Sequence, residues 1–176
     1  MSGEVSMLKQ IAANPAISPL ITDALIASVS AKTSAVFALL KSATVEFKSS
    51  EFKSEESKTM TFANSFGAED MVLMDIILKN KLAIDIFSLD TGRLPTETYD
   101  LMAVTEKHYN TKLNVYFPQA QAVEFYVKNH GINAFYESID LRKSCCHMRK
   151  VEPLQRALKG KSAWVTGMRT AQARKY

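Results

Sequence analysis

One α/β domain on a doubly wound, mostly parallel sheet, preceded by a helical segment, is the fold class that this sequence predicts. From Thr59 onward, short β-like runs alternate with amphipathic segments, which is the pattern of successive βαβ units. Turn residues fall at the ends of these runs. A chain of 176 residues, 47% hydrophobic and 23% charged, is ordinary for one globular domain with a sizeable core.

Residues 1–58 read as a helical N-terminal segment with a polar linker. The runs SPLITDALIASV and SAVFALLKSATVEF are candidate helices, and KSSEFKSEESK after them is a solvated stretch. Residues 59–176 form the α/β domain. Its expected order is a strand in TMTFANS, a helix from about Glu69 to Lys79, a strand in IDIFSL, and a helix from Pro95 to about Asn110. Then come a strand in LNVYF, a helix near 120–129 ended by Gly131, a helix near 150–158 ended by Gly160, and a strand in AWVTG. Trp164 in that last strand most simply fills the core. No internal repeat or collagen-like bias is present.

Nothing in the chain approaches about 18 consecutive uncharged apolar residues, and MSGEVSMLKQ lacks the order of a secretory signal. A cytoplasmic protein without a membrane span is the expectation. Charge is segregated. Residues 142–176 hold ten Lys or Arg against one acid, Glu152, a surplus of +9 that leaves −5 on residues 1–141 of a total of +4. Such a field attracts an anion: a nucleotide, an anionic cluster or nucleic acid. Nucleic acid ranks lowest, since no recognised motif or basic patch interleaved with aromatics accompanies the charge.

Ligands of open parallel sheets bind beyond the carboxyl ends of the strands, so three strand-to-helix junctions are candidates. The first, Ser65-Phe66-Gly67-Ala68-Glu69-Asp70, offers a hydroxyl, a glycine and free amides at a helix start, the usual basis of a phosphate or sulfate cradle. Glu69 and Asp70 equally suit the positive helix end as first-turn residues, and pattern alone favours that plainer reading. The second, Asp90-Thr91-Gly92-Arg93, turns at Gly92 and offers Arg93 as a two-pronged anion ligand; a simple turn with an exposed Arg is its plainer reading. The third, Gly167-Met168-Arg169-Thr170-Ala171-Gln172, carries types that suit a phosphosulfate and a nucleoside edge, and would serve equally as a polar loop.

The only two cysteines, Cys145 and Cys146, are adjacent and crowded by Lys143, Arg149 and Lys150. Vicinal disulfides are strained and cytosolic thiols stay reduced. Cationic surroundings favour the thiolate, the form that binds metal or attacks electrophiles. His147 reads as a solvated neighbour and His108 and His130 as helix-surface residues.

Taken together, SFGAEDMVLMDII, FSLDTGRLPTETYDLM, NVYFP, FYES, RKSCCHMRKVEPLQRAL and AWVTGMRTAQ resemble, in order and spacing from about Thr59 to Gln172, the motifs of the assimilatory sulfonucleotide reductases. The resemblance implies an adenine nucleotide α-hydrolase-like fold related to the ATP pyrophosphatases. Phe66, Glu69 and Asp70 stand where the pyrophosphatase loop has Gly, Asp and Ser, so a sulfonucleotide holder is implied and ATP cleavage is not.

It further implies a substrate site of Ser65, Phe66, Gly67, Ala68, Glu69, Asp90, Thr91, Gly92, Arg93, Lys150, Gly167, Arg169 and Gln172. The cysteine pair resembles that of the subgroup that uses adenylyl sulfate and carries a four-iron four-sulfur (4Fe-4S) cluster, held by a Cys-Cys pair and a later CxxC. Cys145 and Cys146 would be two of its four ligands, and Lys150 matches a lysine linking cluster and phosphosulfate. In the family cycle, a carboxyl-terminal cysteine thiolate attacks the sulfate sulfur, AMP leaves, and thioredoxin releases sulfite from the S-sulfocysteine.

Neither the second pair nor that nucleophile is in this sequence, so the expectation is a truncated form that binds adenylyl sulfate or AMP without turnover. Phosphoadenylyl-sulfate reduction is the alternative within the enzyme class, and a non-catalytic sulfonucleotide-binding protein the alternative outside it. Assembly into a homo-oligomer is left open.

Overall fold

In the computed structural model, the described residues are 22–49 and 60–168. They fall into two units, residues 1–41 and 42–176, taken separately.

The N-terminal helix α1 runs unbroken over Asp23–Ser49. The two candidate helices of the sequence are therefore one, because nothing between Val29 and Ser34 breaks a helix: Ser30, Ala31, Lys32 and Thr33 contain neither Pro nor Gly. The Thr22 hydroxyl accepts the Leu25 N–H at 3.1 Å, an N-cap bond. Over Asp23–Phe47 the helix is long and apolar enough, by length and composition, to cross a membrane, although charged residues interrupt any long uncharged run within it. Lys32 near its middle opposes such a placement, since a lysine at a bilayer centre costs about 2.5–3.5 kcal/mol or more.

The α/β unit is a four-stranded parallel sheet, β1 Met60–Ala63, β2 Ile84–Leu89, β3 Asn114–Tyr116 and β4 Ala163–Val165, in the order β3-β2-β1-β4. The doubly wound expectation holds. The chain steps outward from β1 to β2 to β3, then returns to the other side of β1, so right-handed crossovers send the connecting segments to opposite faces. The reversal of strand order lies at β1, where such sheets open a ligand crevice. Register is fixed by Met60 opposite both Ile84 and Ala163, and Phe87 opposite Asn114.

Central β1 is covered on both faces: Met60, Thr61 and Phe62 are all buried, and the Thr61 hydroxyl donates to Asp85 O at 3.0 Å. Helix α2, Ala68–Lys79, packs Met74, Ile76 and Ile77 into the core. Full burial of a side chain such as Phe62, Met74 or Ile77 contributes about 1.5–3 kcal/mol. Helix α3, Thr96–Tyr109, starts after Pro95 and ends at Asn110 in the left-handed region; α4, Ala120–His130, ends at Gly131.

The segment after α4 departs from expectation. The cysteine pair closes a helix, α5, Ile139–Cys146, capped by the Ser138 hydroxyl on Leu141 N–H. The chain continues through a π-helical turn, His147–Val151, into α6, Glu152–Leu158. The expected helix from Lys150 is thus the last part of a longer helical run, opened by a widened turn of the kind that occurs at functional sites. Trp164 is 46% exposed, so it does not fill the core: β4 is a short edge strand of the described sheet and turns that side chain outward.

Candidate functional site

Parallel strands put their carboxyl ends on one side of a sheet, and the junctions after β1, β2 and β4 accordingly share one edge. A cleft of about 190 Å³ lies there, lined by Ala63, Asn64 and Ser65 after β1, Ser88, Leu89, Thr91, Leu94 and Thr98 around β2 and α3, and Lys150 from the π-helical turn. Among the described residues, Lys150 is the only basic side chain in this lining.

The first junction is held from within. Asn64 is buried; its Oδ1 accepts the Phe66 N–H at 2.7 Å and its Nδ2 donates to Met74 Sδ at 2.9 Å. Phe66 is buried in the left-handed region at φ 62, uncommon for a bulky residue. Asp70, on the first turn of α2, accepts both the Ser65 N–H at 2.7 Å and the Ser65 hydroxyl at 2.5 Å on Oδ2. Both donors of Ser65 are thereby spent inside the loop. Gly67 is the N-cap of α2 and supplies no side-chain cap, and Ala68 and Glu69 open the helix. The N–H groups of that first turn have no intrahelical partner by construction.

In the second junction, Asp90 Oδ1 accepts the Gly92 N–H at 2.7 Å and the Tyr99 hydroxyl at 3.0 Å. Partial desolvation and the Asp90 carboxylate hold the Tyr99 hydroxyl above its usual range. Gly92 sits at φ 68, and the Thr91 hydroxyl accepts the Arg93 N–H at 3.2 Å. The Arg93 guanidinium is engaged elsewhere: Nη1 donates to Asn133 Oδ1 at 3.2 Å, Nη2 donates to Ile132 O, and Cζ lies 4.7 Å from the Phe135 ring centre. It ties this loop to the turn after α4, using the fork that was expected for an anion.

Gly167, after β4, lies against Asp70: a Cβ there would overlap Asp70 Oδ1 and reach within 3.1 Å of its Cγ. The glycine is accounted for by this packing alone. Arg169 and Gln172 lie outside the described residues.

Cys145 is buried in a cluster with Tyr126 and Ala134, while Cys146 is exposed. Adjacent on one helix, they face different surroundings. Among the described residues, no group of three or more metal-binding side chains forms. A four-iron cluster takes four thiolates and the sequence has two, so these residues alone do not fit one. His147, His108 and His130 are exposed, as expected.

Sequence reasoning missed Arg149. It is 9% exposed, Nη1 donates to Thr91 O at 2.6 Å, and Nε has no partner. In the sequence it was one cation in a basic run, and only the sharp turn at Gly92 hinted that something approaches there. Asp70 and Tyr99 were likewise read for helix capping or not at all.

Comparison with known proteins gives a consistent picture. The family described as "Phosphoadenosine phosphosulfate reductase domain" matches residues 59–176. Adenosine 5'-phosphosulfate reductase of Allochromatium vinosum is 52% identical over 67% of this chain and 46% of its own length. The protein of that name from Burkholderia cepacia is 50% identical over 68% of this chain and 48% of its own. The chain thus spans about half the length of the curated relatives it matches. Among solved structures, phosphoadenylyl-sulfate (PAPS) reductase from Candida auris, in a phosphate complex, superposes with a TM-score of 0.55 at 33% identity, covering 65% of this chain and 56% of that one.

Proposed function

Since the chain belongs to the phosphoadenosine phosphosulfate reductase domain family, we propose that its cleft binds adenylyl sulfate, within a cytoplasmic protein that reduces this sulfonucleotide to sulfite and AMP, with thioredoxin as reductant, in sulfate assimilation and cysteine biosynthesis. The observation that carries this reading is the meeting of Ser65, Ser88, Thr91 and Lys150 around one cleft beside the uncapped start of α2. The apolar walls at Ala63, Leu89 and Leu94 suit a flat base. Lys150 and the positive N-terminal end of α2 suit the phosphosulfate.

Binding and orientation are what these residues contribute. Asp90 and Thr91 shape the wall through their own hydrogen bonds, and Lys150 supplies positive charge at the rim. No cysteine other than Cys145 and Cys146 is present, so the sulfur-accepting thiolate of the cycle is not among these residues. A 4Fe-4S cluster, in this reading, takes Cys145 and Cys146 as two ligands and the others from outside these 176 residues.

The names of the two bacterial relatives favour adenylyl sulfate, and that of the solved structure its 3′-phosphorylated form. Calorimetric titration of the chain with each nucleotide and with AMP tests the reading. The expected result is one site per chain for adenylyl sulfate and AMP, with the 3′-phosphorylated form weaker. A folded chain that binds none of the three sinks the proposal, and preference for the 3′-phosphate reassigns the substrate.

A further inference from the structure

A carboxylate beside an anion-binding loop repels the ligand across a few ångströms. Asp70 is such a carboxylate, 8% exposed on the first turn of α2. Its two oxygens have separate surroundings. Oδ2 gathers the Ser65 N–H and hydroxyl at 2.7 and 2.5 Å. Oδ1 fills the space in which any side chain at position 167 would begin, and a Cβ there would also meet the Asp70 backbone N at 3.2 Å.

Between Ser65 and α2 stands Phe66, a bulky residue at φ 62. That conformation is unfavourable for any residue with a Cβ and persists where neighbours over-determine it. Asn64 holds the Phe66 N–H from one side, and Asp70 holds Ser65 from the other. Asp70 itself has no room to swing away, because Gly167 backs it.

We propose that Asp70 is a positioning residue: braced against the backbone of Gly167, it fixes Ser65 on the cleft wall and sustains the left-handed turn at Phe66, coupling the exit of β4 to the exit of β1. The proposal rests on the reading of the cleft as a nucleotide site. It gives Gly167 a role through Asp70 and not through a ligand. The carboxylate is tolerated near an anion because Ser65 satisfies the oxygen that would otherwise be free.

The test uses the full chain with Asp70→Ala, Asp70→Asn, Gly167→Ala and the Asp70→Ala/Gly167→Ala double variant. Two readouts are taken, amide hydrogen exchange in the ligand-free protein and AMP affinity by calorimetry. Asp70→Ala and Gly167→Ala are each expected to speed exchange at residues 65–68 and to weaken AMP binding by about tenfold, as expected for lost hydrogen bonds to a charged group. Asp70→Asn keeps an acceptor oxygen and recovers most of both. The double variant stays close to Asp70→Ala, because removing the carboxylate clears the overlap with Oδ1 and leaves the new methyl only the 3.2 Å approach to the residue 70 backbone N.

Unchanged exchange at residues 65–68 in Asp70→Ala, or losses that add in the double variant, overturns the proposal. If Asp70→Ala does not fold, Gly167→Ala against Asp70→Asn decides it on the same readouts. A wild-type chain that ignores AMP defeats the nucleotide reading, while the exchange data still decide the role of Asp70.

Discussion

Arg149 donates a 2.6 Å hydrogen bond to the carbonyl of Thr91, 58 positions earlier in the chain, and its Nη1 lies 3.2 Å from where a Cβ on Gly92 would stand. The buried guanidinium thus props the second junction from below, while Lys150, the next residue, reaches the cleft. Gly92→Ala adds a methyl at φ 68 and presses it on that guanidinium. The expected cost is about 1–3 kcal/mol, read as a lower midpoint in denaturant with an unchanged slope. A wild-type midpoint would mean that the loop yields freely and Arg149 does not brace it.

Lys150 is exposed and, among the described residues, the only basic side chain of the cleft lining, so its contribution to an anionic ligand is electrostatic and screened by salt. Lys150→Met should weaken adenylyl sulfate binding by about 1.5–3 kcal/mol, the range of a charge-assisted hydrogen bond, and flatten the dependence of affinity on ionic strength. Unfolding stability should stay within about 0.5 kcal/mol, as for a surface substitution. Equal salt dependence in the two proteins would remove Lys150 from the site.

What the sequence disclosed was whatever local chemistry governs. The alternation after Thr59 fixed the parallel sheet, and Gly131 and Pro95 marked helix boundaries because φ and hydrogen-bond capacity are properties of single residues. The three junctions begin on one edge, the third described only as far as Met168, because parallel strands leave no other arrangement. The tertiary use of charge was hidden. Arg149 and Arg93 are basic letters in either reading, and only packing shows one buried under Thr91 and the other stacked on Phe135. Asp70 read as a first-turn acid, which it is, while its grip on Ser65 and its contact with Gly167 need the fold. Trp164 misled because an edge strand need not bury its largest residue.

The cysteine pair should divide in its reactivity. Cys146 is exposed and Cys145 is buried against Tyr126 and Ala134, on consecutive positions of α5. Attack on a thiol reagent requires access as well as thiolate. In the native chain one thiol per molecule should react fast with an aromatic disulfide reagent and the second should wait for unfolding. Cys146→Ser should remove the fast phase and Cys145→Ser should leave it. Two fast thiols of equal rate would show that α5 opens readily around Cys145.

Tyr109 links α3 to α2 by donating a 2.5 Å hydrogen bond to Asp75, which also pairs with Lys79 at 3.0 Å. Partial burial first, then the hydrogen bond and charge of Asp75, push the phenol well above its ordinary 10.0 in the folded protein. A raised folded value means that the neutral phenol is favoured by the fold. The stabilisation is therefore complete below the unfolded value near 10, and it is lost as pH rises from there toward the folded value. Tyr109→Phe should cost about 1 kcal/mol at neutral pH, the size of one half-exposed hydrogen bond. The gap between wild type and variant should then narrow above pH 10, in denaturant titrations carried out from pH 7 to 11. A gap that widens with alkali would require the phenolate to be the form the fold prefers, which a neighbouring carboxylate at 2.5 Å opposes.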